Sequence, residues 1–107
     1  KHMAVDQISD SNFIEKIKGQ TAIIKFYADW CGSCKLIAPK FSRLSEDEAF
    51  GDVKFYEVNA EENPEVRKAI GVDNLPYFAA FKEGKLIEGS TSSKIEAIEE
   101  MVKKIAG

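Results

Sequence analysis

The sequence predicts an α/β domain built on a mixed central sheet with helices on both faces. Helical and strand patterns alternate from residue 10 to residue 71, and two apolar runs joined only by Glu83-Gly84 follow before a last amphipathic segment. Residues 21–28 (TAIIKFYA) are apolar almost throughout, which suits a central strand covered on both sides. With 107 residues, 44% of them hydrophobic, the chain is long enough for one core and one domain, expected over residues 4–107. Lys1-His2-Met3 reads as the remnant of an expression tag, with Met3 as the original start.

Asp10-Ser11-Asn12 supplies cap-type residues for a first helix in which Phe13, Ile14 and Ile17 recur at helical spacing until Gly19. The strand at 21–28 follows, interrupted by Lys25. Ile37, Phe41 and Leu44 then share one helical face, with Pro39 as an expected kink. Residues 53–59 (VKFYEVN) read as a second strand. Asn63-Pro64 reads as a cap with proline in the first turn of a short helix through Val66 and Ile70, stopped by Gly71. Residues 77–82 and 85–87 form a predicted antiparallel hairpin. Ser92 and Ser93 are expected to cap a final helix whose buried stripe is Ile95, Ile98, Val102 and Ile105.

The charge balance narrows the function classes. Fifteen Lys and Arg stand against 18 Asp and Glu, a formal net charge of −3, with both signs scattered along the chain. Nucleic-acid binding would show as a basic face or stripe, and the densest basic cluster is Lys103-Lys104, which suits the C-terminal end of a helix dipole. No apolar stretch approaches the roughly 20 residues that cross a bilayer, so neither membrane nor nucleic acid is an expected partner. The chain's histidine is His2, so a histidine base or a histidine-rich metal site has no candidate in the domain.

Chemistry concentrates in Trp30-Cys31-Gly32-Ser33-Cys34-Lys35. The two cysteines follow a buried strand and open a helix, where unpaired backbone N–H groups and the dipole favour an anion such as a thiolate. A thiol there is expected to titrate below its free value of about 8.5. Cys31, nearer the helix tip, is the expected nucleophile; Cys34, one turn further in, is the expected resolving residue. Two other readings are weaker. A zinc half-site would need a dimer interface or carboxylate help to complete four ligands, and a purely structural disulfide closing so short a loop would constrain little of the unfolded chain.

These residues resemble the thioredoxin family, and the resemblance covers nearly all of residues 4–107. Phe26-Tyr27-Ala28-Asp29-Trp30-Cys31-Gly32-Ser33-Cys34-Lys35 resembles its active-site segment, Leu75-Pro76 its cis-proline loop, Gly84 the glycine of its terminal hairpin, and Gly89 a glycine lining the substrate-facing groove. The resemblance implies a thioredoxin fold and a thiol–disulfide oxidoreductase, a protein-disulfide reductase, whose redox group is a Cys31–Cys34 disulfide with no bound cofactor and no metal. It implies a substrate-binding surface of Trp30, Gly32, Ser33, Leu75, Pro76 and Gly89, with the Leu75 backbone free to pair with a substrate strand. The implied partners are disulfide-containing proteins and a thioredoxin-reductase-type flavoenzyme that carries the NADPH and flavin. The protein is expected to be monomeric and cytoplasmic.

Three departures from the family pattern stand out. Ser33 replaces the usual proline between the cysteines, Tyr77 replaces a common threonine after the cis-proline, and Lys25 replaces the usual buried aspartate. Glu57 falls where many bacterial members carry a lysine, so Lys25 and Glu57 are expected to be a sign-exchanged pair that supports proton transfer at Cys34. The competing expectation is a Lys25 that snorkels to the sheet edge past a solvated Glu57. Two further functions stay open: an oxidase or isomerase of an oxidising compartment, and a redox-inert module that holds a partner on Trp30, Leu75, Pro76 and Gly89.

Overall fold

The computed structural model describes residues 5–107, so Lys1-His2-Met3 and the tag expectation lie outside the described residues. The chain runs β1 (Val5–Gln7), α1 (Phe13–Ile17), β2 (Ala22–Tyr27), α2 (Gly32–Ser45), β3 (Lys54–Asn59), α3 (Pro64–Ile70), β4 (Tyr77–Lys82), β5 (Lys85–Ser90) and α4 (Ile95–Ile105). One sheet holds all five strands in the order β1-β3-β2-β4-β5. β2 and β1 lie parallel to β3, β4 pairs antiparallel with β2, and β5 pairs antiparallel with β4 at the edge.

β2 is central because nearly every side chain can be buried. Ala22, Ile23, Ile24 and Phe26 are all inaccessible to solvent, as a strand covered on both faces requires. Alternate residues feed two cores. Ile23, Phe55, Phe78 and Ala80 pack under α2 and α4 with Phe41, Ile98 and Val102. Ile24, Phe26, Val58 and Ala79 pack on the other face with Ile8, Ile17 and Val66. Phe41 of α2 anchors the first core through ring contacts to Phe55 and Phe78, with centroids at 5.3 and 5.5 Å. Truncating such a ring typically costs 3–5 kcal/mol, roughly, so α2 is tied firmly to the sheet.

The structure corrects several expectations. β1 is a strand the sequence reading did not anticipate: three residues with a single apolar side chain carry no readable alternation. Ile14 is exposed rather than part of the buried face of α1. Ser92 and Ser93 do not cap α4, which starts from Lys94 with no side-chain cap; Ser92 Oγ accepts the Lys94 N–H one step earlier. β5 continues to Ser90, three residues beyond its expected end.

At the α3 N-terminus the Asn63 side chain does not cap its own helix. Asp10, more than 50 residues away in sequence, takes that place: its carboxylate accepts the Glu65 N–H at 3.2 Å and the Val66 N–H at 2.8 Å. Asn63 instead accepts the Asp10 N–H and donates to the Asn59 carbonyl. The Glu83-Gly84 turn is present, with both residues at positive φ (51° and 84°). A Cβ at Gly84 would sit 2.9 Å from the backbone nitrogen of Gly19, so glycine serves both the turn and the close approach.

Candidate active site

Because β2 ends at Tyr27 and α2 begins at Gly32, the four residues between them must turn the chain from the sheet into the helix. Cys31 sits at the N-cap with extended backbone, and its sulfur accepts the Cys34 N–H at 3.2 Å. That bond satisfies one of the orphan donors of the first helical turn with the sulfur itself. Ser33 Oγ lies 3.6 Å from the same sulfur. The two cysteines are joined in a disulfide, so the Cys31 sulfur carries no hydrogen and the Ser33 hydroxyl is the donor. When the bond is reduced, the same donors and the helix dipole face a sulfur able to carry charge.

Cys31 and Cys34 are joined to each other, and a zinc half-site built on them would need two further ligands. Among the described residues, no group of three or more His, Cys, Asp and Glu side chains is placed to hold a metal ion. The redox group is the disulfide.

The surroundings differ above and below the helix tip. Trp30 is exposed beside Cys31 (66%), and Leu36 on the first turn after Cys34 is exposed as well (76%). Cys31 and Cys34 themselves are buried. The Leu75-Pro76 bond is cis, and Pro76 leads directly into β4, whose first residue, Tyr77, pairs with Phe26 near the end of β2. Pro76 is therefore delivered to the same end of the sheet as the segment carrying the cysteines.

Beneath the helix lies a cavity of about 240 Å³ whose wall includes Cys34, Lys25, Glu57, Tyr27, Asp29 and Lys35. Lys25 is buried, at 4% exposure. It pairs with Glu57 across the parallel β2–β3 ladder, and the Nζ–Oε1 distance is 3.2 Å. Its ammonium also lies 5.6 Å from the ring centroids of Tyr27 and Phe41, a distance at which ring faces attract cations. The snorkelling expectation for Lys25 is thereby replaced by the ion pair.

Tyr27, which the resemblance places in the active-site segment without a role, lies two residues after Lys25 and so on the same face of β2. Its hydroxyl accepts from Gln7 Nε2 of β1 at 3.0 Å. Burial pushes the phenol above its ordinary value, and the carboxylates of Glu57, Asp29 and Glu62 push the same way against the Gln7 hydrogen bond. The phenol stays neutral at physiological pH.

Gly89, expected to line a groove, lies in β5 opposite Ala79. A Cβ there would fall 2.7 Å from Tyr77 Cζ and still nearer its hydroxyl. What the missing side chain makes room for is the Tyr77 ring, which also packs edge-on against Phe26. A bulky residue after the cis-proline demands space on the next strand, and that was the available signal.

A disulfide between the N-cap and the first turn of a helix, set on a mixed five-stranded sheet, defines a thiol–disulfide oxidoreductase. The thioredoxin family model matches residues 4–105. Thioredoxin Asp f 29 of Aspergillus fumigatus is 37% identical over 102 residues, covering 92% of this chain and 93% of its own. The thioredoxin of Bacillus subtilis is 34% identical over 104 residues, covering 95% and 98%. Among solved structures, the thioredoxin of Malassezia sympodialis superposes with a TM-score of 0.89 at 26% identity, over 99% of this chain and 94% of that one. The chain belongs to the thioredoxin family.

Proposed function

We propose that the protein is an electron donor to protein disulfides in which Cys31 attacks and Cys34 resolves. The observation that carries this order is the position of Cys31 at the N-cap, where its sulfur takes both the Cys34 N–H and the Ser33 hydroxyl bond. Those donors stabilise a thiolate at Cys31, the form that attacks a disulfide. The substrate disulfide breaks, one substrate sulfur leaves, and Cys31 holds the other in a mixed disulfide. Cys34 then attacks Cys31, releasing the reduced substrate and restoring the intramolecular bond, so that two electrons have passed to the substrate.

Docking is assigned to the exposed Trp30 together with Gly32, Ser33, Leu75 and Pro76, which share one end of the sheet; Leu75 offers its backbone to an extended substrate segment. Gly89 enters this surface only indirectly, by seating Tyr77. The dithiol is regenerated by a separate reductase. One similar structure is a complex of ferredoxin:thioredoxin reductase with thioredoxin f2, which supports a dedicated reductase partner; we assign the flavoenzyme type. A single-chain reductase of this kind works in a reducing compartment, and the cytoplasm is the proposed setting.

The test is trapping. The Cys34→Ser variant accumulates long-lived mixed disulfides through Cys31, and Cys31→Ser loses insulin-disulfide reduction. Mass spectrometry that finds substrates held by Cys34 in the Cys31 variant, and none by Cys31 in the other, reverses the roles. Equal insulin reduction by parent and Cys31→Ser removes the catalytic reading in favour of a binding module.

A further inference from the structure

Lys25 is the deepest charged side chain among the described residues, and the exchange chemistry above gives it no part. Packing alone does not account for it, because a buried ion pair is commonly no better than apolar side chains of the same volume. Its surroundings do suggest a use. Glu57 holds the ammonium on one side at 3.2 Å and the Tyr27 and Phe41 rings flank it. The remaining side gives onto the cavity that Cys34 also lines.

The charged and titratable groups facing that cavity are Lys25 and Tyr27 from β2, Asp29 from the loop after it, Lys35 from α2 and Glu57 from β3. Asp29 and Lys35 are exposed, opposite in sign and screened by solvent. Tyr27 is held neutral by its burial. That leaves the pair, which acts as a dipole. Its negative end, Glu57, is 28% exposed on β3; its positive end is 5% exposed and reaches Phe41, on the helix that carries Cys34. The cation is the end beneath α2.

We propose that Lys25, fixed by Glu57, is a positioning residue for the second half of the reaction: its ammonium favours the thiolate of Cys34 and so sets the rate at which the mixed disulfide is resolved. This rests on the roles assigned to Cys31 and Cys34 above. In the step itself the Cys34 thiol gives its proton to solvent and its thiolate attacks Cys31 Sγ. The bond from Cys31 to the substrate sulfur breaks, and the departing thiolate takes a proton from solvent.

The probe is 5,5′-dithiobis(2-nitrobenzoate) in stopped flow. Attack by Cys31 releases a first nitrothiolate at a rate proportional to reagent; resolution by Cys34 releases a second at a rate independent of it. In the parent, the pH midpoint of the second phase lies below the free-thiol value of about 8.5. In Lys25→Met it rises by about one to two units and resolution at pH 7 slows about 10- to 100-fold, since each unit is tenfold in thiolate. Lys25→Arg stays near the parent, and the first phase moves little in either variant. A Lys25→Met protein that melts cooperatively and keeps the parent midpoint overturns the proposal.

Glu57→Gln is the second arm, decisive even where Lys25→Met does not fold. It is read in the Lys25→Arg background, where the guanidinium keeps its charge without the carboxylate, so the midpoint falls or holds. A rise would make Glu57 the proton acceptor and overturn the role given to Lys25. The assignment of the cysteines fails separately: Cys31→Ser, rather than Cys34→Ser, would then release the first equivalent at the parent rate.

Discussion

Lys25, Asn59 and Asn63 are the buried polar side chains among the described residues, and they divide into two clusters of opposite character. At the end of β3, Asn59 accepts the Glu61 and Glu62 N–H groups while Asn63 and Asp10 bond to backbone on three segments. Every one of these bonds ends on the main chain, so the cluster behaves as fixed scaffolding for α3. In the middle of β2 and β3, Lys25 and Glu57 bond to each other and to no backbone, beside a cavity. A polar group saturated by backbone can only hold the fold; one that faces a cavity and a redox sulfur retains a field that chemistry can use. Burial alone does not tell the two apart.

That contrast is broken most severely at Asn63. Asn63→Ala removes a donor and an acceptor at once and leaves the Asp10 N–H without its partner, while the Asn59 carbonyl keeps only the Glu62 N–H, so stability falls by about 2 kcal/mol, read by urea unfolding. The scaffold reading requires that both phases of thiol exchange keep the parent rates at a temperature where the variant is folded. A changed pH midpoint for resolution would merge the two clusters into one.

The Lys25–Glu57 pair should respond in the other sense. Glu57→Gln lowers stability by about 1–2 kcal/mol: the loss of the carboxylate strands the buried Lys25 ammonium, but Glu57 is partly solvated and the amide oxygen that replaces it can still accept from Lys25. Exchanging the charges, Lys25→Asp with Glu57→Lys, should be tolerated better than either single change. A coupling energy above about 0.5 kcal/mol in that cycle shows direct interaction, and additive effects would dismiss the pair.

The smallest effect is alkaline. The phenol of Tyr27 titrates above its ordinary value when folded, so the native state binds that proton more tightly than the unfolded chain. Its contribution is fully present below the unfolded value of about 10 and is lost as pH rises through the folded value. Tyr27→Phe should therefore flatten the fall in stability above about pH 10, with little change at pH 7; an unaltered alkaline limb would assign that fall to Tyr56, whose phenol is also pushed up by burial.

What the sequence showed, and what it hid, follows the range of the interactions. The Asn63-Pro64 start and Gly71 stop of α3, the continuous burial of β2 and the cysteines at a helix tip are local patterns of a few residues, and the structure contains them. The Asp10 clamp spans 55 and 56 positions, and no periodicity announces a carboxylate capping a helix so far away. β1 is three residues long and is held as a strand by its parallel neighbour β3. Gly89 was legible as special but not for its reason, because the ring it accommodates belongs to the facing strand. The Lys25–Glu57 pair came from the family resemblance; the register that sets the two residues side by side came from the structure.

The direction of electron flow is tested most directly by equilibrating the Cys31–Cys34 couple with glutathione buffers of known ratio and reading the fraction of dithiol by alkylation. A protein-disulfide reductase must lie below the glutathione pool, so the reduction potential is expected to be more negative than about −260 mV. A value at or above about −220 mV would make the protein an oxidant or isomerase and contradict the account.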